Sequence, residues 1–291
     1  MSNGPAGHIG RFASRPRPGA YHRGRLRTFL RTADGVRIDA AHDPGAAVAH
    51  GTGGIPSDAP GDLAIVVAHG FTGDLERPHV RRAADVLARY GAVVTFSFRG
   101  HGASGGRSTV GDREVLDLAA AVRWARELGH PRVVTVGFSM GGSVVLRHAA
   151  RHEEGAGPDA VVAVSAPARW FYRGTAPMRR LHWLVLRPEG RLVGRYGMRT
   201  RIDHRVWDPV PASPVESVPL IAPTPLLIVH GDQDSYFPLD HPRMLAEAAA
   251  GHAELWLEPG MGHAEHASDD ALLARIGSWA ASRAGRRPAR H

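Results

Sequence analysis

Residues 133–142 read Val-Val-Thr-Val-Gly-Phe-Ser-Met-Gly-Gly, and the fold is decided by this stretch. An apolar run over 133–136 passes directly into Gly137-Phe138-Ser139-Met140-Gly141, and a segment of helical character follows from Gly142 to Ala150. A G-x-S-x-G pentapeptide between a strand and a helix makes a sharp turn that pushes a strained serine out of the sheet edge. Small residues are needed two places to either side, because side chains there would collide inside the turn. In a Gly-rich chain the pentapeptide alone is a weak signal. The strand before it and the helix after it give it meaning.

On both sides of this turn the same alternation continues. Short continuous apolar runs occur at 63–68, 92–98, 132–138, 160–165, 226–230 and 254–257. Such runs mark strands buried on both faces, as in a parallel sheet joined by crossover helices. Segments 77–90, 112–128, 140–152, 240–250 and 268–283 have the length and amphipathic spacing of those helices. Earlier in the chain, residues 26–31 and 36–41 alternate around Asp34-Gly35, which predicts a tight antiparallel hairpin. The expected fold class is α/β, a mostly parallel central sheet with helices on both faces. Roughly sixty residues between Pro167 and Thr224 lack a strand of this kind, far more than the usual connection of about 2 to 6 residues. They are expected to form a helical cap, 168–222, inserted after the sixth strand of a domain spanning 23–283. Residues 1–22 read as a flexible arm, 44–61 as a Gly/Pro-rich loop and 284–291 as a fraying basic tail.

Composition narrows the chemistry. The chain has 291 residues, 43% of them apolar, which suits one domain with an insertion. It has no apolar run of the ~18 residues that cross a bilayer and no apolar core of a secretory signal near its start, so a cytoplasmic location is expected. Cysteine is absent, which removes disulfides, thiolate nucleophiles and cysteine-bound metals. Every residue in the Lys+Arg count is arginine, which removes lysine Schiff bases and Walker-type phosphate lysines. The formal charge is +8, and ten arginines from Arg169 to Arg205, set against Glu189 and Asp203, account for all of it. No nucleic-acid-binding module or interleaved aromatic pattern accompanies that charge.

Three further segments, with the turn at Ser139, carry a resemblance to the α/β-hydrolase superfamily that runs over 26–279. His69-Gly70-Phe71-Thr72-Gly73 is similar to its oxyanion loop, and Arg99-Gly100-His101-Gly102 with Ser104 to the stretch after the next strand. His230-Gly231-Asp232-Gln233-Asp234 is similar to its H-G-x-x-D acid turn, and Gly260-Met261-Gly262-His263 lies just beyond the last strand. The order nucleophile, acid, histidine is also that superfamily's. The resemblance implies an α/β-hydrolase fold with Ser139 as nucleophile, His263 as general base and Asp234 as the acid that orients it. It implies that the backbone N–H groups of Phe71 and Met140 form an oxyanion hole, the second at a helix N-terminus. The implied reaction is hydrolysis of a small-molecule carboxylic ester through an acyl-serine intermediate, without cofactor; no H-E-x-x-H or similar ligand spacing is present, so no metal site is expected. Thioester hydrolysis or acyl transfer would use the same triad, and amide cleavage and cofactor-free perhydrolysis are also carried by this scaffold. Dehalogenase chemistry is disfavoured, because that branch has Asp where this chain has Ser139. An intact triad speaks against a non-catalytic binder.

Asp232 competes with Asp234 as the acid, but being nearer the strand it is expected to brace the turn. His266 competes with His263 and is expected to be solvated at the approach to the last helix. His69 and His101 are candidates for metal ligands, but each precedes a glycine in a landmark segment and is expected to pack structurally. In the cap, Trp170, Phe171 and Trp183 supply apolar bulk for a lid over a greasy or aromatic-binding pocket; the alternative is a helix that merely buries itself against the sheet. The cap arginines are open to three readings: attraction of an anionic substrate, peripheral contact with an anionic membrane surface, or an ordinary solvated face.

Overall fold

Continuous apolar sequence becomes buried strand wherever both faces of the sheet are covered, and five of the eight strands here are buried along their whole length apart from an end residue. The computed structural model describes residues 24–45 and 61–283. The expected arm 1–22 and tail 284–291 lie outside the described residues, as does most of the expected loop 44–61. In chain order the elements are β1 (Leu26–Arg31), β2 (Arg37–Asp43), β3 (Leu63–Ala68), α1 (Pro78–Leu87), β4 (Ala92–Phe96), α2 (Glu114–Glu127), β5 (Arg132–Phe138), α3 (Met140–Ala149) and β6 (Ala160–Val164). There follow α4 (Ala176–Leu186), α5 (Pro188–Gly197), α6 (Pro214–Ser217), β7 (Leu226–Gly231), α7 (Asp240–Ala248), β8 (Ala253–Glu258), α8 (Ala264–Ala267) and α9 (Asp270–Arg283).

The strands form one eight-stranded sheet in the order β1-β2-β4-β3-β5-β6-β7-β8. β1 and β2 form the expected hairpin, and β2 pairs antiparallel with β4. Every other pairing is parallel. The two-residue period of a strand divides each apolar run between two cores. In β3, Ala64, Val66 and Ala68 join Leu118, Val122 and Val145 of α2 and α3 on one face. Leu63, Ile65 and Val67 join Val80, Leu87, Leu273 and Ile276 of α1 and α9 on the other. β5, paired with β3 and β6 at the middle of the sheet, therefore ends at its carboxyl edge with its core neighbours fixed on both sides.

The strand expected over 92–98 stops at Phe96: the Phe98 N–H is taken by the His69 ring and not by a neighbouring strand, and Arg99 then turns inward. Its guanidinium bonds both oxygens of Asp34 in the β1–β2 turn, at 2.7 and 3.0 Å, and Oδ1 of Asp117 on α2 at 2.8 and 3.0 Å. The Arg99 N–H also donates to Asp117, at 2.8 Å. Both Arg99 and Asp117 are buried; among the described residues Arg99 is the only cation paired with Asp117, whereas Arg99 is also paired with Asp34.

Between β6 and β7 the chain forms α4, α5 and α6 instead of the regular crossover. Pro188 begins α5, and the residue before a proline is pushed toward extended geometry; Arg187 accordingly has φ −94° and ψ 141°, which separates the two helices. A Cβ at Gly190 would collide with the Trp183 carbonyl, so glycine permits the close α4–α5 approach. The chain then returns along the loop after β4. Ser108 N–H donates to Arg201 O and Arg201 N–H to Gly100 O, both at 2.7 Å, and Asp203 N–H to Ser108 O at 2.8 Å. No helix of the described residues is long and apolar enough to cross a membrane.

Asp117→Ala leaves the buried Arg99 guanidinium with Asp34 alone, and is expected to lower unfolding free energy by about 3 kcal/mol. Denaturant titration measures this, and a loss below about 1 kcal/mol, the range of an exposed pair, would contradict it.

Candidate functional site

Ser139 lies at the strained point between β5 and α3, with φ 51° and ψ −113°. Positive φ is costly for a residue with a side chain, and the surroundings hold it there. The Ser139 N–H donates to Val164 O of β6 at 2.9 Å. A Cβ at Gly137 would collide with the Gly141 carbonyl, and one at Gly141 with the Ala68 carbonyl of β3, so both flanking positions require glycine. Ser139 is partly exposed and faces a cavity.

Asp234 follows β7 in a turn braced from within. Its Oδ1 accepts the N–H groups of Tyr236 and Phe237, at 2.8 and 3.1 Å, leaving Oδ2 to meet His263 Nδ1 at 2.8 Å. His263 Nε2 lies 2.8 Å from Ser139 Oγ. A carboxylate only accepts, so Nδ1 carries the proton and donates to Asp234, while Nε2 is left to accept the Ser139 hydroxyl. Burial pushes the Asp234 pKa up, but the hydrogen bond and charge of His263, with the Phe237 N–H, outweigh it and hold the carboxyl below its ordinary value. It is therefore ionised at neutral pH. A Cβ at Gly231 would collide with the Met261 carbonyl; glycine at the end of β7 thus lets the His263 loop pack directly on it.

The three residues singled out from the sequence thus stand in one hydrogen-bonded row, and the competing residues stand elsewhere. Asp232 Oδ1 accepts the Gly260 N–H at 2.7 Å and so braces the turn between β8 and the His263 loop. His266 is exposed and packs against His79, with ring centroids 3.6 Å apart.

The segment 69–73 runs beside Ser139 and is fixed by three buried side chains. His69 Nδ1–H donates to Gly70 O at 2.7 Å, and its Nε2 accepts the Phe98 N–H at 3.0 Å. His101 Nδ1–H donates to Arg99 O, and its Nε2 accepts the Thr72 N–H. These bonds require neutral rings, in accord with burial lowering both pKa values to about 4. The third is Glu265, whose Oε1 accepts the Gly70 N–H at 3.0 Å. Phe71 and Met140 line the same cavity as Ser139. Met140 begins α3, where the N–H has no acceptor within its own helix.

The cavity measures about 390 Å³. Trp170, Phe171 and Trp207 form one wall, Tyr236 and Phe237 another, and Met178, Leu181 and Val185 of α4 a third. Trp170 and Trp207 meet edge to face at 5.1 Å, and their indole N–H groups donate to Pro211 O and Thr109 O. Trp183 corrects the sequence reading: it is absent from the lining and 48% exposed. At 100° per residue, 178, 181, 182, 185 and 186 share one face of α4, and position 183 points away from it.

Four contributors escaped the sequence reading. Tyr236 stacks on the His263 ring, with centroids 4.2 Å apart and planes 23° apart, and Phe237 meets it edge-on at 5.6 Å. Both follow the acid turn within three residues, a proximity that could have flagged them. Glu265, two places after His263, offered the same signal. Trp207 offered none, because its position depends on the return of the chain over Thr109.

A family model described as "Alpha/beta hydrolase family" matches residues 65–276. The chain is 26% identical over 264 residues to a monoacylglycerol lipase of Mycolicibacterium smegmatis, covering 75% of this chain and 88% of the lipase. Among solved structures it resembles the Pyrococcus furiosus esterase Pf2001, with TM-score 0.68, 22% identity and coverage of 95% and 97% of the two chains. It also resembles the alpha/beta hydrolase GrgF from Penicillium sp. sh18, with TM-score 0.67, 18% identity and coverage of 90% and 100%.

Glu265→Ala frees the loop that carries Gly70 and Phe71. Turnover of an ester is expected to fall about 100-fold with a smaller change in KM, and Glu265→Gln, which keeps an acceptor, to recover most of it. A folded alanine variant with wild-type kcat would contradict this role.

Proposed function

The chain belongs to the alpha/beta hydrolase family, and on that premise we propose that it cleaves carboxylic esters through an acyl intermediate on Ser139. It is a hydrolase of the esterase and lipase type. The observation that carries the finer reading is the His263 ring, 2.8 Å from Ser139 Oγ through one nitrogen and 2.8 Å from Asp234 Oδ2 through the other.

In this reading His263 Nε2 takes the Ser139 proton as Oγ bonds to the ester carbonyl carbon. The carbonyl oxygen becomes an oxyanion, held by the N–H groups of Phe71 and Met140. The tetrahedral adduct collapses with cleavage of the C–O bond, and His263 passes its proton to the departing alcohol. Water then repeats the sequence: His263 accepts one of its protons, hydroxide oxygen bonds to the acyl carbon, and the Ser139 oxygen leaves and is reprotonated. Asp234 stays ionised throughout and stabilises the imidazolium. Tyr236, stacked on the ring, limits its rotation.

The segment 168–222 acts as a cap, with α4 closing the cavity over Ser139. Its aromatic and aliphatic lining suits an apolar acyl group. The name of the Mycolicibacterium relative suggests a glycerol ester as a first substrate to try.

A fluorophosphonate probe is expected to label the wild type at Ser139 and to leave Ser139→Ala unlabelled. His263→Ala is expected to lose about 10³-fold or more in turnover while folding normally. Labelling at another residue, or near-normal turnover without His263, would overturn the assignment.

A further inference from the structure

Next to the acyl cavity, and sharing Arg191 and His204 with it, lies a second cavity of about 250 Å³. Arg107, Arg191, Arg195, Arg201 and His204 line it, and no acidic residue does. The four arginines come from three separate stretches that the fold brings together. Arg191 and Arg195 are one turn apart on α5, so they project from the same face. Arg201 lies on the returning segment and Arg107 on the loop after β4, and these two pieces of chain are tied by the Ser108–Arg201 and Arg201–Gly100 backbone bonds. A Cβ at Gly100 would collide with the Arg201 carbonyl and Ser108 nitrogen, so the glycine there, with φ +77°, is what permits this approach.

Two of the four guanidinium groups, those of Arg201 and Arg191, are held by carbonyl groups, Arg107 and Arg195 are exposed, and none is neutralised by a carboxylate among the described residues. Arg201 donates to the Ser104 and Gly106 carbonyls, and Arg191 to the Leu186 carbonyl at 2.9 Å. Arg195 rests over the Tyr196 ring. Among the described residues none of the four forms an ion pair, whereas Arg205 pairs with Asp203 at 2.9 Å and Arg169 with Asp240 at 2.7 Å. Of the two carboxylates nearest in sequence, Asp203 is engaged by Arg205 and faces the acyl cavity, and Glu189 is exposed on α5 and absent from the lining of this cavity. Burial lowers the Arg201 pKa, and the positive charges of Arg195 and Arg107 lower it further, as expected for like charges gathered without a counterion.

We propose that this cavity binds a phosphoryl group on the leaving-group side of the ester, so that the preferred substrates are acyl esters of phosphorylated alcohols. Several planar guanidinium groups lining one cavity suit the multiple oxygens and double charge of a phosphate monoester. The apolar lining around Ser139 takes the acyl chain, which leaves the charged end to reach past Arg191 and His204. The phosphoryl group takes no part in bond making. The acyl C–O bond is still the one that breaks, and the phosphorylated alcohol departs with the proton from His263. The inference rests on the ester-hydrolase reading above.

Butanoylglycerol and butanoylglycerol phosphate, both monomeric in water, test it without a lipid surface. The wild type is expected to show a kcat/KM about tenfold or more higher for the phosphorylated ester, the scale of charge-assisted hydrogen bonds. Arg107→Gln combined with Arg195→Gln is expected to remove most of that ratio, and inorganic phosphate to raise KM for the phosphorylated ester selectively. Equal kcat/KM for the two esters, or a preference that survives the double substitution, would overturn the proposal. Inhibition by inorganic phosphate that is equal for both esters would assign the cavity to a free anion and likewise overturn it. Fluorophosphonate labelling of the wild type separates the two levels: a chain labelled at Ser139 that shows no preference loses only the phosphoryl site, and an unlabelled chain loses the hydrolase reading beneath it.

Discussion

The backbone at Ser139 is the constraint on which the other features depend. A residue with a side chain is held at φ 51° where β5 turns into α3, at an intrinsic cost on the order of 1 to 3 kcal/mol. The strain persists because its neighbours leave no alternative. β5 is paired on both edges, its side chains are buried on both faces, and glycines 137 and 141 approach carbonyl groups that no Cβ could share space with. The consequence is a hydroxyl lifted off the carboxyl edge of the sheet, beside the first N–H groups of a helix and within reach of loops from β3, β7 and β8.

Those loops supply the remainder of the site by the same kind of close approach. Gly231 lets the His263 loop lie on the end of β7, and Asp234 is steered by two backbone N–H groups so that one oxygen is left for the imidazole. His69, His101 and Glu265 spend their polar atoms on the backbone of 70–72 and its surroundings. The polar groups around Ser139 are thus mostly rigidifying. In the proposed mechanism few of them would reorganise as charge develops on a bound carbonyl, which is the condition under which fixed donors are most effective.

The frame was legible in the sequence because its signals are local. Continuous apolar runs can be satisfied only by burial on both faces, and Gly137-Phe138-Ser139-Met140-Gly141 needs a strand before it and a helix after it. Asp234 and His263 were legible through motif resemblance and chain order, not through spacing. What escaped depends on contacts distant in sequence. Glu265 acts on a segment 195 positions earlier, and Trp207 reaches the cavity wall through Thr109. Trp183 was misplaced for a different reason: apolar content in a helix does not say which face is turned inward until the partners of that face are known. The net charge of 169–205 was equally plain, but whether it formed a solvated face or a lined cavity depended on the return of residues 200–204 along the loop after β4.

In the proposed function Ser139 Oγ forms a covalent bond to the acyl carbon of an ester. Rapid-quench mass spectrometry of the wild-type chain mixed with excess p-nitrophenyl butanoate tests it most directly. A transient mass increase of one butanoyl group is expected, mapped to the peptide containing Ser139 and appearing with the first burst of nitrophenol. Steady release of nitrophenol with no adduct at any time, or an adduct mapped to another residue, would contradict it.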